Sequence, residues 1–197
     1  MFNLFVCYTD FTEKVGDCQV VDFLIDALGV FGILFAVLAF QCKRHSRVIA
    51  FRNLNMLFFA GQYILLGAYT GMAMNVIGMI RNVIFSEQVK RGVSTRISIA
   101  VFCAIFFLAG LLTWEGPKSI LLILAKLIST AAYGNKNLLV VRLLVLFTSS
   151  SWLVYNLFVG SYAGMLCEVL TLLSILIALW RYHVPHKDHR AEENKPV

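Results

Sequence analysis

From Phe59 to Asn82 the chain reads FAGQYILLGAYTGMAMNVIGMIRN, and from Trp152 it reads WLVYNLFVGSYAGMLCEVLTLLSIL. An offset of 93 residues sets Gly67 on Gly160 and with it aligns Tyr69, Gly71, Met72 and Val76 with Tyr162, Gly164, Met165 and Val169. In each copy an apolar run ends in a Gly-x-Tyr-x-Gly turn, and a second apolar run begins with a polar residue one turn inside it. That residue is Asn75 in the first copy and Glu168 in the second. A duplicated helix-turn-helix in an apolar chain is the plan of many membrane carriers, whose substrate site lies between the repeats.

The rest of the sequence places this plan in a bilayer. Of 197 residues 59% are hydrophobic and 14% charged, with a mean hydropathy of +0.78. Apolar runs of about 18 residues match spanning helices. Spans are expected at 22–41, 48–66, 71–85, 97–114, 118–133, 138–158 and from the second turn to 180. The net charge of +6 fits orientation rather than nucleic acid, because the basic residues sit in alternate loops and the tail. Clusters at 42–47, 81–96, Lys136 with Arg142, and from Arg181 onward share one face. The positive-inside rule then puts the amino terminus outside and the carboxyl terminus in the cytoplasm. The partners expected are the bilayer and a small polar solute, with self-association left open.

The fold expected is an all-α integral membrane protein with seven transmembrane helices, arranged as two parallel three-helix repeats plus a linker helix. The segments are 1–21, an extracytoplasmic amino-terminal stretch; 22–86, the first repeat; 87–116, a loop and the linker helix; 117–182, the second repeat; and 183–197, a disordered tail. Residues 1–21 lack a basic start and carry Asp10, Glu13 and Asp17, so the first run is read as a retained span. Gly29 and Gly32 should let a neighbouring helix approach closely. Arg81, near the exit of its span, is expected to snorkel to the headgroups. Pairing of Cys7 with Cys18 stays open, and Cys103 and Cys167 read as small buried hydrophobes.

Of the ionisable residues inside spans, Lys126 lies about mid-depth in the fifth and Glu168 one turn inside the seventh, and such residues face a bundle interior or a water-filled cavity. In a three-helix unit spans five and seven would touch. The two charges then either join those spans as an ion pair, or Glu168 binds a cation or exchanges a proton with Lys126 as its reset partner. Thr148 to Ser151 should bond back to their own helix and let it pack closely. No nucleophile elbow, metalloprotease pair or phosphate loop occurs, so neither an enzyme nor a cofactor is expected. The histidines of the tail lack a fixed metal geometry.

The pattern Leu65-Leu66-Gly67-Ala68-Tyr69, Asn75 and Ile80-Arg81-Asn82, followed by Arg142, Trp152, Asn156, Gly160-Ser161, Gly164, Glu168 and Arg181, resembles the YgjV-type bacterial inner-membrane family over roughly residues 22–182. That resemblance implies an inner-membrane location. More distantly, the three-plus-one-plus-three plan is similar to the SWEET and PQ-loop transporters. This implies a central solute site holding Phe59 with Asn75 from one unit and Trp152 with Glu168 from the other, Phe59 and Trp152 sandwiching a sugar ring. Gln62, Tyr155, Asn156 and Lys126 would supply polar lining. The Pro-Gln pair of that group is missing from spans one and five, and a carboxylate replaces its second Asn, which widens the solute class from sugars to small polar or cationic molecules. The rival reading is a non-transporting assembly or regulatory subunit, whose centre should be packed shut.

Overall fold

The computed structural model describes residues 2–42, 44–132 and 138–183, with side chains withheld at the start of the first helix and at a few further positions. Cys7, Cys18, the Lys136 and Arg142 cluster and the tail lie outside the described side chains. Among the described residues the secondary structure is helical throughout, in seven helices. These are α1 (Phe2–Gln41), α2 (His45–Leu65), α3 (Tyr69–Lys90), α4 (Arg96–Leu112), α5 (Lys118–Ala132), α6 (Leu138–Val159) and α7 (Tyr162–His183).

Helices α2, α3 and α6 are each followed by a glycine that turns the chain, Gly67, Gly92 and Gly160. Gly67 takes φ 66° and Gly160 φ 75°, a left-handed conformation that costs an L side chain about 1 kcal/mol or more. At α2 the Ala68 N–H donates to Tyr63 O at 2.8 Å and at α6 the Ser161 N–H donates to Asn156 O at 3.0 Å. These are the same bond, six residues back to one, of a glycine-terminated helix. The first turn of the following helix repeats as well, Met72 N–H to Ala68 O at 3.1 Å and Met165 N–H to Ser161 O at 2.9 Å. The two Gly-x-Tyr-x-Gly turns are thus alike in backbone geometry. Pro117 precedes α5, where its missing N–H costs no helical bond. Two helices depart from the expected span limits: α1 runs back to Phe2 as a continuous helix instead of starting near residue 22, and α3 continues to Lys90 instead of ending near 85.

Consecutive helices pack in the order α1, α2, α3 and again α5, α6, α7, with α4 against α3 and α5, and α1 against α7. Among the described residues, spans five and seven, expected side by side, are not one of the closely packed pairs. Helix α6 lies between them, as α2 lies between α1 and α3. Gly29 and Gly32 fulfil the close-approach expectation. A Cβ at Gly29 would lie 2.7 Å from Gln62 Nε2, and one at Gly32 would lie 2.9 Å from the Phe59 ring. Phe58 of α2 stacks against Phe31 and Phe35 of α1, with centroids 5.4 and 5.3 Å apart.

The distribution of polarity is the reverse of a water-soluble bundle. Large apolar side chains face outward along every helix, among them Phe23, Ile97, Leu112, Leu157 and Ile177. The buried set holds as many polar or charged residues as apolar ones, including Gln62, Asn75, Arg81, Lys126 and Asn156. An apolar exterior with polar groups sequestered inside suits lipid as the surrounding solvent. Gln19–Ala39 and Ser46–Leu65 are long and apolar enough to cross a membrane, and Arg96–Leu112, Leu143–Val159 and Tyr162–Ile177 are apolar but shorter.

Candidate functional site

Because both glycine turns lie at one end of the bundle, the chain has a turn end and an opposite, basic end where α2 begins behind Arg44. At the turn end the two helix pairs joined by the glycine turns lock together. Tyr63 donates its hydroxyl to Asn156 Oδ1 at 2.6 Å, and the two residues stand at equivalent positions, 93 apart. Gln62 Nε2 donates to Ile25 O at 3.0 Å, while its Oε1 accepts from Ser161 at 2.8 Å. Tyr155, the equivalent of Gln62, accepts the Gly71 N–H at 3.0 Å. The end of α2 thus grips the start of α7, and the end of α6 grips the start of α3. Gly164 permits this, since a Cβ there would sit 2.6 Å from Asn156 Oδ1.

The loop before α5 seals the same end. The Thr70 N–H donates to the Glu115 carboxylate at 2.6 Å, placing a negative group at the start of α3 where the helix dipole favours it. Thr70 Oγ1 donates to Thr113 O and shares a bond with Ser119 Oγ at 3.0 Å. Lys118 pairs with the same carboxylate at 3.4 Å.

Below this seal lies a cavity of about 360 Å³ bounded by α2, α3, α5, α6 and α7, within the size range of small-molecule sites. Its charged lining is Arg52, Arg81, Lys126 and Glu168, and Asn55, Asn82, Ser129, Thr148, Ser149 and Thr171 supply its neutral polar wall. Trp152 completes one side. By helix rise, Glu168 lies about 9 Å from the start of α7 and Arg81 about 18 Å from the start of α3. The carboxylate therefore sits toward the turn end and the guanidinium toward the basic end.

Lys126, only 4% exposed, lies 4.8 Å from the centre of the Trp152 ring and 5.9 Å from that of Phe106. Among the described residues its Nζ makes neither a hydrogen bond nor an ion pair, so Lys126 and Glu168 share the cavity without the direct bridge that was one expectation. Ring faces stabilise a cation partially. Ser149 and Glu168 line the same cavity. Arg81 does not snorkel: it is buried, donating to Ser129 at 3.2 Å and Thr130 at 2.9 Å with its guanidinium 5.5 Å from the centre of the Phe106 ring. The hydroxyls of α5 and the aromatic ring of α4 offer a better environment than a bilayer core because they satisfy its N–H groups.

Of the residues singled out in the sequence, the cavity unites Trp152, Glu168 and Lys126. Phe59 and Asn75 are buried but outside its described lining. Tyr63 occupies the space between Phe59 and Trp152, with ring centroids 6.2 and 6.1 Å from each, so the aromatic pair stacks on a third ring of the chain rather than facing an open slot. Gln62, Tyr155 and Asn156 serve in the turn-end lock. Thr148, Ser150 and Ser151 bond back to Val145, Leu146 and Phe147 as expected, while Thr148 and Ser149 also face the cavity. Arg52 and Arg81 are site residues that sequence reading missed. Their signal was an amide close by on the same helix, Asn55 three residues after Arg52 and Asn82 next to Arg81, polar groups grouped on an otherwise apolar helix.

The family model Imp-YgjV, described as a bacterial inner membrane protein, matches residues 23–185. No curated protein and no solved structure matches the chain.

Proposed function

We propose a carrier function for this chain, which belongs to the Imp-YgjV family of bacterial inner membrane proteins. It moves a small polar solute across the inner membrane by alternating access, in the manner expected of SWEET-like architecture. The observation that carries this reading is the central cavity of about 360 Å³, polar and charged inside an apolar-surfaced bundle and sealed at one end. A protein whose helices served only to dock a partner gains nothing from keeping Arg81, Lys126 and Glu168 around an internal space, since buried charges are costly.

The repeat supports the same reading. Reciprocal bonds between equivalent positions, Tyr63 to Asn156 foremost, are contacts that two rocking units can break together to open the turn end. All seven helices then cross the bilayer. Positive-inside orientation places the turn end outside and the basic end, toward which the cavity's cations lie, in the cytoplasm.

The test is solute counterflow in proteoliposomes with purified wild type and Glu168→Gln, using a panel of sugars, polyols, amines and organic acids at two pH values. Uptake by wild type that the variant loses supports a carrier with Glu168 in its cycle. Absence of uptake for every solute, with a folded wild type, overturns it in favour of an assembly or regulatory subunit.

A further inference from the structure

The cavity's charge is unbalanced in a way that specifies its ligand. Three cationic side chains, Arg52, Arg81 and Lys126, line it against the single carboxylate of Glu168. Arg81 is engaged by Ser129, Thr130 and Asn82, and Arg52 and Lys126 are the cations that face the space. Lys126 keeps its three N–H donors unbonded beside two aromatic rings, and a buried cation so placed is costly until an anion joins it. We infer that the cavity binds a small hydroxylated organic anion, a polyol or hydroxy acid bearing one carboxylate, as the solute class of the carrier reading on which this inference rests.

The arrangement favours that chemistry over the cationic solute expected from the carboxylate in the repeat. A cation entering from the basic end meets Arg52 and Arg81 before it reaches Glu168. A neutral sugar leaves Lys126 uncompensated. An oxyanion, by contrast, receives the Lys126 ammonium and the guanidinium fork of Arg52, a geometry suited to a carboxylate. The neutral wall suits hydroxyl groups. Thr148 and Thr171 spend their own protons on Val145 O and Cys167 O, both at 2.9 Å, and their oxygens remain acceptors. Asn55 donates to Gly32 O at 2.8 Å, which fixes its amide with the carbonyl oxygen as a further acceptor. Glu168, with Ser149 beside it, accepts a hydroxyl proton at the turn-end side and repels a second carboxylate there. A molecule negative at one end and hydroxylated at the other is thereby oriented along the bundle. Gly78 helps keep the space, for a Cβ there would lie 3.3 Å from Lys126 Nζ.

The experiment is equilibrium binding to the purified full chain in an uncharged detergent by titration calorimetry. The probes are gluconate, sorbitol and glucosamine, an anion, a neutral polyol and a cation of similar size, together with inorganic phosphate. Gluconate is expected to bind at least about tenfold more tightly than sorbitol or glucosamine, and to weaken as salt rises. Lys126→Gln and the more exposed Arg52→Gln should each reduce gluconate affinity by about tenfold, with Lys126→Arg restoring most of it. Arg52→Gln guards against misfolding, because its side chain lies at the mouth. Equal or tighter binding of sorbitol or glucosamine overturns the inference, as does gluconate binding indifferent to both substitutions. If only phosphate and added phosphatidylglycerol bind, the cavity seats a lipid headgroup and the inference fails. Gluconate binding without counterflow in proteoliposomes keeps the anion site and removes the carrier reading; sorbitol counterflow without gluconate counterflow does the opposite.

Discussion

Replacing Tyr63 by Phe removes one hydroxyl from the centre of the turn-end lock and leaves everything around it in place. The ring stays stacked between Phe59 and Trp152, so packing is conserved and only the 2.6 Å bond to Asn156 is lost. Both partners are nearly inaccessible, Tyr63 at 2% and Asn156 at 1% exposure, and water does not readily replace the lost donor. A buried acceptor left in this state costs about 1–3 kcal/mol. Interhelical bonds in membrane bundles give coupling energies averaging about 0.6 and reaching about 1.7 kcal/mol. The short, fully buried Tyr63–Asn156 bond belongs toward the upper end of that span. The assay is reversible unfolding in mixed micelles of wild type, Tyr63→Phe, Asn156→Ala and the double variant. Each single change should destabilise by about 1–2 kcal/mol, and the double variant should fall short of their sum by about 1 kcal/mol or more. Additivity within about 0.3 kcal/mol would refute the claim that this bond ties α2 to α6.

Three further outcomes follow from the same geometry. Gly164→Ala drives a Cβ to within 2.6 Å of Asn156 Oδ1 and should lower the thermal midpoint more than Gly67→Ala or Gly160→Ala. Those two have open space around them and should each cost only the positive-φ penalty of about 1 kcal/mol, equal within error because the turns are equivalent. Glu115→Gln weakens the negative cap on α3 and the Lys118 pair, and should destabilise by about 1 kcal/mol in low salt and less in high salt, read by thermal unfolding. Arg81→Lys should fail to restore wild-type stability, because a single ammonium cannot reproduce the forked donation to Ser129, Thr130 and Asn82; a midpoint equal to wild type would contradict that bonding role.

Helix number and the two turns were legible because they depend on local pattern: apolar runs set the helices, and a Gly-x-Tyr-x-Gly segment needs a left-handed glycine wherever it occurs. Lys126 and Glu168 were legible as interior residues because charge within an apolar run has few other places to go. What they face was not. Arg81 read as a snorkelling residue from its position near a helix end, yet Ser129, Thr130 and Phe106 on other helices give it a buried environment that only packing reveals. The same holds for Tyr63, which fills the expected aromatic slot, and for Gln62, Tyr155 and Asn156. Their side chains were visible as polar, but their engagement with one another depends on how the repeats meet. The continuous α1 was hidden by Asp10, Glu13 and Asp17, which lower hydropathy without breaking a helix.

The most direct measurement places single cysteines at Ser149, inside the cavity, and at Asn156, inside the lock, in a background with Cys7, Cys18, Cys42, Cys103 and Cys167 replaced. Each is then challenged with a small, charged, membrane-impermeant thiol reagent in inverted and right-side-out inner-membrane vesicles. The thiol at 149 is expected to react, faster in inverted vesicles, and to be protected by bound solute, while the thiol at 156 stays unreactive from both sides. A thiol at 149 as inert as that at 156 from either side would contradict the proposed polar chamber, open toward the cytoplasm and closed at the turn end.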